Sequence, residues 1–141
     1  MKSVRLFSDG SSLGNPGAGG WAYILEYKGA KKCECGGSAC ATNNQMELTA
    51  TIMGLKALKE PCEVELITDS QYVVNAINSW LDKWIKTDFK NKKNEDLWRE
   101  YIRVANGHKI TAVWVKGHAG HPQNEACDSL ARGEAQKYKK A

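Results

Sequence analysis

The sequence predicts an α/β fold with a mixed five-stranded sheet flanked by helices, and two features of the pattern predict it. Three strand-like runs with short connections follow one another near the N-terminus, as in an antiparallel meander. Two later strand-like runs are separated by helical patterns, which is typical of parallel crossovers. In such sheets ligands bind outside the carboxyl ends of the parallel strands.

The first three strands are bounded by turn residues. VRLFSD is β-rich and ends at Asp9, and the following DGSSLGNPGAGG consists of turn-forming residues. WAYILEY is aromatic and β-branched and predicts the second strand. A tight turn at GAK leads to KKCECGGSA, which is a weaker third strand. These three strands make up the predicted meander.

The later elements alternate between the two periodicities. The first helix, with Met46, Ala50, Met53 and Ala57 at helical spacing, is expected to be capped by Asn43 or Asn44. Asp69 closes the fourth strand, and Asp69 or Ser70 is expected to cap the next helix. In order, the remaining runs are the strand EVELIT, the helices SQYVVNAINSWLDKW and NEDLWREYIRVAN, the strand KITAVWVK and the helix NEACDSLARGEAQKYKK.

Length and composition bound the class of protein. The 141 residues fit one domain, which we expect to span residues 1–141, and one short chain predicts a monomer. No apolar run approaches the roughly 20 residues of a membrane helix, and no signal peptide is evident. Five cysteines without a secretion signal predict reduced thiols in the cytoplasm. The net charge of +4 permits an anionic partner such as nucleic acid without proving one.

Two glycine-rich stretches match functional motifs but lack the structural context that those motifs require. Residues 10–14 match the G-x-S-x-G nucleophile elbow, which requires a helix after the serine. Residues 17–22 loosely match a dinucleotide-binding loop, which also opens a helix. Both matches lead instead into the second strand, so we interpret them as a turn between two strands.

Four acids lie at the ends or starts of predicted elements: Asp9, Glu47 in the first turn of the first helix, Asp69, and Asp128 near the start of the last helix. Each alone is an ordinary turn, cap or surface residue. If strands one and four are parallel neighbours, Asp9 and Asp69 emerge at the same sheet edge, where mutual repulsion favours a divalent cation. Two ions about 3.5–4 Å apart can hold both oxygens of a phosphoryl displacement. The chain has no P-loop, so the pattern favours phosphodiester hydrolysis.

Four blocks in order resemble type 1 ribonuclease H of the bacterial kind: SDGSSLGNPGAGG, TNNQMELTA, ITDSQYV and WVKGHAGHPQNEACDSLA. The resemblance runs from about Ser8 to Ala131. It implies a ribonuclease H-like fold and metal-dependent hydrolysis of the RNA strand of RNA–DNA hybrids, leaving 5′-phosphate and 3′-hydroxyl ends. The family's metal-binding carboxylates fall on Asp9, Glu47, Asp69 and Asp128, with Mg²⁺ as the expected ion and Mn²⁺ as a possible substitute. Its loop histidine falls on His118, which can transfer protons at neutral pH.

The hybrid is the expected partner, with no membrane and no obligatory protein partner. Recognition would use close backbone approach at Gly10 and Ser11 and hydrogen bonds from short amides. The residues expected to contact the hybrid in this region are Gly10, Ser11, Asn15, Thr42, Asn43, Asn44 and Gln45, with Thr42 as a phosphate contact. Turn and cap roles are the alternative for the same side chains.

A departure from the family concerns the handle, a basic Trp-rich segment that is often longer in relatives and that here comprises residues 79–98. Its five lysines are nearly balanced by four acids, so it resembles a shortened and diluted handle. Trp80, Trp84 and Lys86 are expected to contact the DNA strand by stacking or through phosphates, with packing of the two tryptophans against the core as the alternative.

The stretch GHAGHPQNEACD also allows a zinc site as an alternative, because His118, His121 and Cys127 are of residue types that bind zinc. The absence of a C-x-x-C pair weakens it, and Cys127 is expected to pack inward from the last helix. Two other functions also stay open: a hybrid-binding protein without catalysis, and a related nuclease acting on another nucleic-acid structure.

Overall fold

The sheet has five strands in the order β3-β2-β1-β4-β5 in the computed structural model, which describes residues 1–117 and 120–139. β1 pairs with β2 antiparallel and with β4 parallel, β2 with β3 antiparallel, and β4 with β5 parallel. This is the predicted mixed sheet. The strands are β1 (Lys2–Ser12), β2 (Gly17–Tyr27), β3 (Ala30–Ala41), β4 (Cys62–Thr68) and β5 (Lys109–Trp114).

Helices cover both faces of the sheet. The main hydrophobic core lies on one face, where Leu6 and Leu66 pack against Leu48 of the first helix. A smaller cluster of Phe7, Ala22, Ile24, Cys127 and Ala131 lies under the last helix on the other face. The helices are α1 (Asn43–Lys56), α2 (Gln71–Asn75), α3 (Leu81–Lys86), α4 (Glu95–Ala105) and α5 (Pro122–Tyr138), and a π-helical segment, Ala76–Trp80, joins α2 to α3.

Several element boundaries differ from the sequence prediction. β1 continues three residues past Asp9, because Gly10, Ser11 and Ser12 still pair with β2. The N-cap of α1 is Thr42, so the prediction of Asn43 or Asn44 is wrong. The Thr42 side chain accepts from the Gln45 N–H, and the Gln45 side chain accepts from the Thr42 N–H, which forms a capping box.

Other differences concern the helices that carry acids. Glu47 lies beyond the first turn of α1, which contains no acidic residue. α5 begins at Pro122, a residue suited to the first turn of a helix, so Asp128 lies deeper in the helix than expected. The second predicted helix is interrupted by the π-helical segment, in which the Asn78 side chain donates to the Ala112 carbonyl of β5 at 3.2 Å. Within the described ranges, no helix combines the length and apolar character needed to cross a bilayer.

Candidate active site

Three acids from three elements meet at the carboxyl end of the central strands. Asp9 lies in β1, Glu47 in α1, and Asp69 directly follows β4. One carboxylate oxygen from each lies within 4.8 Å of the other two. Asp9 is 5% exposed and Glu47 8% exposed, so two of the three charges are largely removed from water. The parallel pairing of β1 and β4 puts Asp9 and Asp69 at one edge, as the sequence predicts.

Gly10 allows Asp9 and Glu47 to approach each other. Its backbone N–H lies 2.9 Å from Asp9 Oδ1 and 2.9 Å from Glu47 Oε1, so one donor bridges the two carboxylates. A Cβ at Gly10 would lie 2.3 Å from the backbone nitrogen of Glu47. Any other residue would push α1 away from β1 and separate the two acids. The Gly10 N–H, which was expected to be near the substrate, is therefore used within the protein.

Burial and mutual repulsion disfavour ionisation of these acids. Burial raises the pKa of Asp9 to about 7, with further upward contributions from the charges of Asp69 and Asp128, while the hydrogen bond with Glu47 opposes the shift. Burial also holds the pKa of Glu47 well above its ordinary value, and the neighbouring Asp9 adds to this. A cluster of acids with raised pKa values at the carboxyl end of a sheet is typical of a functional site.

The donor set fits a hard divalent cation. Three carboxylates converge, and in the part of the chain that the structure describes neither Asp9 nor Glu47 forms an ion pair with a lysine or arginine. Oxygen ligands suit Mg²⁺ or Mn²⁺ better than zinc, and bound positive charge would remove the repulsion that raises the pKa values. The clustering of buried acids therefore indicates a divalent-metal site.

Asp128 lies beside this cluster rather than within it. Its charge raises the pKa of Asp9, so the two are within electrostatic reach. Its own carboxylate forms an ion pair with Arg132, one helical turn later, at 2.9 Å. The structure thus brings together three of the four predicted acids and pairs the fourth with a cation that the sequence prediction overlooked. The i,i+4 spacing of Asp128 and Arg132 was the available signal.

The predicted proton-transfer residue, His118, lies outside the described residues. The zinc-type residues beside it do not converge: among residues 1–117 and 120–139, neither His121 nor Cys127 joins a group of three possible metal ligands. His121 precedes α5 without a capping hydrogen bond from its side chain. Cys127 is fully buried, as predicted, with its Sγ 3.6 Å from the Phe7 carbonyl.

The polar residues expected to contact a hybrid lie beside the acids, and several have partners within the protein. Thr42 and Gln45 form the capping box of α1. Asn15 Oδ1 accepts from the Asn43 N–H at 3.0 Å, which ties the turn after β1 to the start of α1. Asn43 and Asn44 are exposed, so their side chains remain accessible for a ligand, and Ser11 is half-buried.

The handle forms a cavity of about 530 Å³. Trp80 is 42% exposed, whereas Trp84 is half-buried between Trp80 and Trp98, with ring centroids 5.8 Å from each. Lys86 does not line the cavity. The cavity is lined by Trp80, Lys83, Trp84, Thr87, Lys90, Asn91 and Lys92. Lys83, Lys90 and Lys92 are therefore cationic candidates that the choice of Lys86 missed.

Two of the four handle acids form ion pairs with Arg99 rather than with the lysines. Arg99 contacts both Asp88 and Glu95 at 2.7 Å. None of the five handle lysines forms an ion pair with an acid in the part of the chain that the structure describes. The lysines are therefore more available to phosphates than a count of charges within the segment suggests.

The family model and the most similar relatives agree with each other. The RNase H family model matches residues 1–136. A ribonuclease H of Campylobacter concisus (strain 13826) is 67% identical over 139 residues, which cover 99% of this chain and 96% of that protein. A ribonuclease H of Helicobacter acinonychis (strain Sheeba) is 56% identical over 140 residues, covering 99% and 98% of the two chains.

Solved structures show the same fold. The crystal structure of LC9-RNase H1, a type 1 RNase H with the type 2 active-site motif, has a TM-score of 0.89 at 30% identity, over 99% of this chain and 74% of that one. LC11-RNase H1, solved in complex with an RNA/DNA hybrid, has a TM-score of 0.77 at 19% identity, over 96% and 98% of the two chains.

Proposed function

This chain belongs to the RNase H family, the hydrolases that cut the RNA strand of RNA–DNA hybrids, and we propose that it does so with divalent ions held by Asp9, Glu47, Asp69 and Asp128. The observation that carries this assignment is the convergence of three carboxylates within 4.8 Å, two of them buried. Such a cluster is costly without a cation, and it lies where a parallel sheet presents its ligands.

The acids of the site differ in how they are held in place. Asp9 and Glu47 are held by the Gly10 N–H and by burial, which makes them the rigid part of the site. Asp128 is instead held by its ion pair with Arg132, so binding an ion would compete with this pair. Bound ions supply charge stabilisation for the attacking and leaving oxygens of the displacement. We propose Mg²⁺ as the physiological ion, with Mn²⁺ as a substitute, because the ligands are all oxygens.

His118 is proposed to move protons around the reacting phosphate, because a histidine with an unperturbed pKa near 6.5 can accept and donate protons at neutral pH. The position of Gly117 supports this role. A Cβ on Gly117 would lie 2.6 Å from Asp69 Oδ2, so the chain reaches the acids one residue before His118. The proposed products carry 5′-phosphate and 3′-hydroxyl ends.

The surface beside the acids is proposed to bind the hybrid. The turn after β1 and the start of α1, with Gly10, Ser11, Asn15 and residues 42–45, would contact the sugars and base edges of the minor groove. Trp80, Trp84 and the handle lysines, Lys86 included, would contact the DNA strand by stacking and through phosphates. The exposure of Trp80 and the absence of ion pairs at the handle lysines, within the described part of the chain, support this.

We further propose that residues 1–141 form one RNase H domain that acts in the cytoplasm as a monomer, without an obligatory protein partner. Five cysteines without a disulfide fit a reducing compartment. The acids that form the site all come from one chain, which supports a monomer.

A cleavage assay with magnesium tests this function. Labelled RNA–DNA hybrid, RNA duplex and DNA duplex would be compared, and the ends of the products analysed. Cleavage restricted to the RNA of the hybrid is expected, with loss of activity in Asp69→Asn. Binding of the hybrid without cleavage would indicate a non-catalytic binder, and cleavage of another structure would indicate a different nuclease.

A further inference from the structure

We propose that the end of β5 and the three residues after it form a positioning clamp for Asp69, in which Trp114 and Gly117 are the two key positions. The proposal rests on the assignment of Asp69 as a metal ligand. Neither residue is expected to touch the substrate. They act by fixing the backbone and the carboxylate of Asp69 where an ion needs them.

The first contact holds the backbone of Asp69. The indole N–H of Trp114 donates to the Asp69 carbonyl oxygen at 3.0 Å. Trp114 is 43% exposed, so its large ring contributes little to the core for its size. A tryptophan at this position is better explained by its N–H donor than by burial. Phenylalanine would keep most of the ring and lose this bond.

A neighbouring backbone hydrogen bond holds the residue before Asp69. The N–H of Val115 donates to the carbonyl of Thr68 at 3.0 Å, one residue beyond the last β4–β5 pair, Thr68 with Trp114. Two consecutive carbonyls, those of Thr68 and Asp69, are therefore held by the last residue of β5 and the residue that follows it. The chain around Asp69 cannot shift along β4 without breaking both bonds.

The second position concerns the carboxylate itself. A Cβ on Gly117 would lie 2.6 Å from Asp69 Oδ2 and 3.5 Å from Asp69 Cγ. A side chain at residue 117 would therefore displace the Asp69 carboxylate, whereas glycine leaves that carboxylate in place. The indole N–H thus fixes the backbone of Asp69, and the lack of a Cβ at residue 117 preserves the position of its side chain.

The precision of a magnesium site gives this clamp its function. Mg²⁺ demands near-ideal geometry at about 2.0–2.1 Å, so a small displacement of one carboxylate weakens binding. Substitution of a group that orients a metal ligand typically lowers metal affinity by about 10–100-fold. Asp69 follows a strand end and needs such support more than Glu47, which lies within a buried helix.

The test measures divalent-ion binding on the whole chain without substrate. Calorimetric titrations with Mn²⁺ would compare wild type with Trp114→Phe, Gly117→Ala and Asp69→Asn. Gly133→Ala is the matched control for the glycine variant, because it lies in α5 with open space where the new Cβ would be. Thermal unfolding in EDTA reports on folding separately from ion binding.

We expect Trp114→Phe to raise the Mn²⁺ dissociation constant about tenfold, Gly117→Ala to raise it more, and Gly133→Ala to leave it unchanged. The Mn²⁺ concentration for half-maximal cleavage should rise with the dissociation constant in Trp114→Phe, while kcat at saturating ion recovers. If Gly117→Ala unfolds in EDTA, the Mn²⁺ affinity of Trp114→Phe alone tests the clamp. Wild-type affinity in Trp114→Phe would overturn the clamp when Asp69→Asn weakens binding. Wild-type affinity in Asp69→Asn would instead overturn the metal-site assignment beneath it.

Discussion

The carboxyl group of Asp9 keeps its proton nearly to neutral pH in the metal-free protein, because burial raises its pKa from 3.8 to about 7. In the unfolded chain the same group ionises near its ordinary pKa of about 3.9. The folded state therefore binds this proton more tightly than the unfolded state does. The resulting stabilisation is complete below about pH 4 and is lost as the pH rises through about 7.

Asp9→Asn should reduce this pH dependence, and the buried Glu47, whose pKa is also raised, should retain part of it. In EDTA, wild type is expected to lose on the order of 2–4 kcal/mol of unfolding free energy between pH 4.5 and pH 8, whereas the variant should lose clearly less. The variant should also be nearly inactive and should bind the hybrid as well as wild type without metal. Urea unfolding across this pH range measures the effect. Equal pH slopes in the two proteins would show that Asp9 is not the group responsible.

Protons and divalent ions compete for the same carboxylates. Raising the Mg²⁺ concentration should therefore move the acidic limb of the activity profile to lower pH, because the ion favours the ionised acids. Profiles of kcat/KM at several Mg²⁺ concentrations measure this. An acidic limb that stays fixed while the Mg²⁺ concentration changes would argue that the limb reports another group.

His118→Ala should lower kcat by about 10²–10⁴-fold, the usual contribution of a general acid or base, and leave KM nearly unchanged. Substitution of a metal-binding acid should cost more, so the histidine variant should retain measurable activity. Single-turnover rates for His118→Ala and Asp69→Asn compare the two losses. If the purified protein contained zinc and His121→Ala did not, a zinc site that includes His121 would be favoured instead.

At the scale of elements, the handle separates two tryptophans by role. Trp80 is exposed, and Trp84 packs on Trp98, which is fully buried. Trp80→Ala should raise KM through lost stacking of about 1–3 kcal/mol while leaving thermal stability almost unchanged. Trp84→Ala should raise KM and also destabilise the fold by about 2–4 kcal/mol. Melting temperatures measured beside KM separate the roles, and equal melting losses would contradict this division.

The salt dependence of KM tests the handle lysines. The charge count of the segment predicts few phosphate contacts and a shallower slope than in a relative with a long basic handle. Each lysine that contacts a phosphate should contribute about 0.9 to the slope, so Lys90→Ala should flatten it by about that amount. Lys86→Ala should have a smaller effect, because Lys86 does not line the handle cavity. A steep wild-type slope that collapses in both variants would show that the handle is a main electrostatic clamp.

The sequence predicts the strands and two of the acids well, for a physical reason. Strand ends are marked by turn residues, so the convergence of Asp9 and Asp69 follows once β1 and β4 are parallel neighbours. The π-helical segment could not be predicted, because its contact with β5, from the Asn78 side chain to the Ala112 carbonyl, joins residues distant in the sequence. The contact of Trp114 with Asp69 likewise joins residues distant in the sequence, and no spacing reveals it.

At the scale of the whole molecule, the acidic cluster links distant parts of the chain, because its acids come from β1, from α1 and from the residue after β4. An ion that binds only the folded state stabilises it by about 2.7 kcal/mol at a hundredfold excess over its dissociation constant. Mg²⁺ should therefore raise the melting temperature of wild type, and EDTA should reverse the effect. Differential scanning calorimetry of wild type and Asp69→Asn measures this, and an equal rise in both would place the ion elsewhere.

The position of β1 also bears on how the chain acquires its fold during synthesis. β1 is the first strand in order, yet it lies in the middle of the sheet. Its antiparallel neighbour β2 begins at Gly17, whereas its parallel neighbour begins at Cys62 and the helix that covers Phe7 begins at Pro122. On the ribosome the meander can pair early, while one side of β1 and the Phe7 face wait for later segments. The emerging chain therefore exposes an unpaired strand edge, which favours aggregation or chaperone binding, until β4 and α5 have been made.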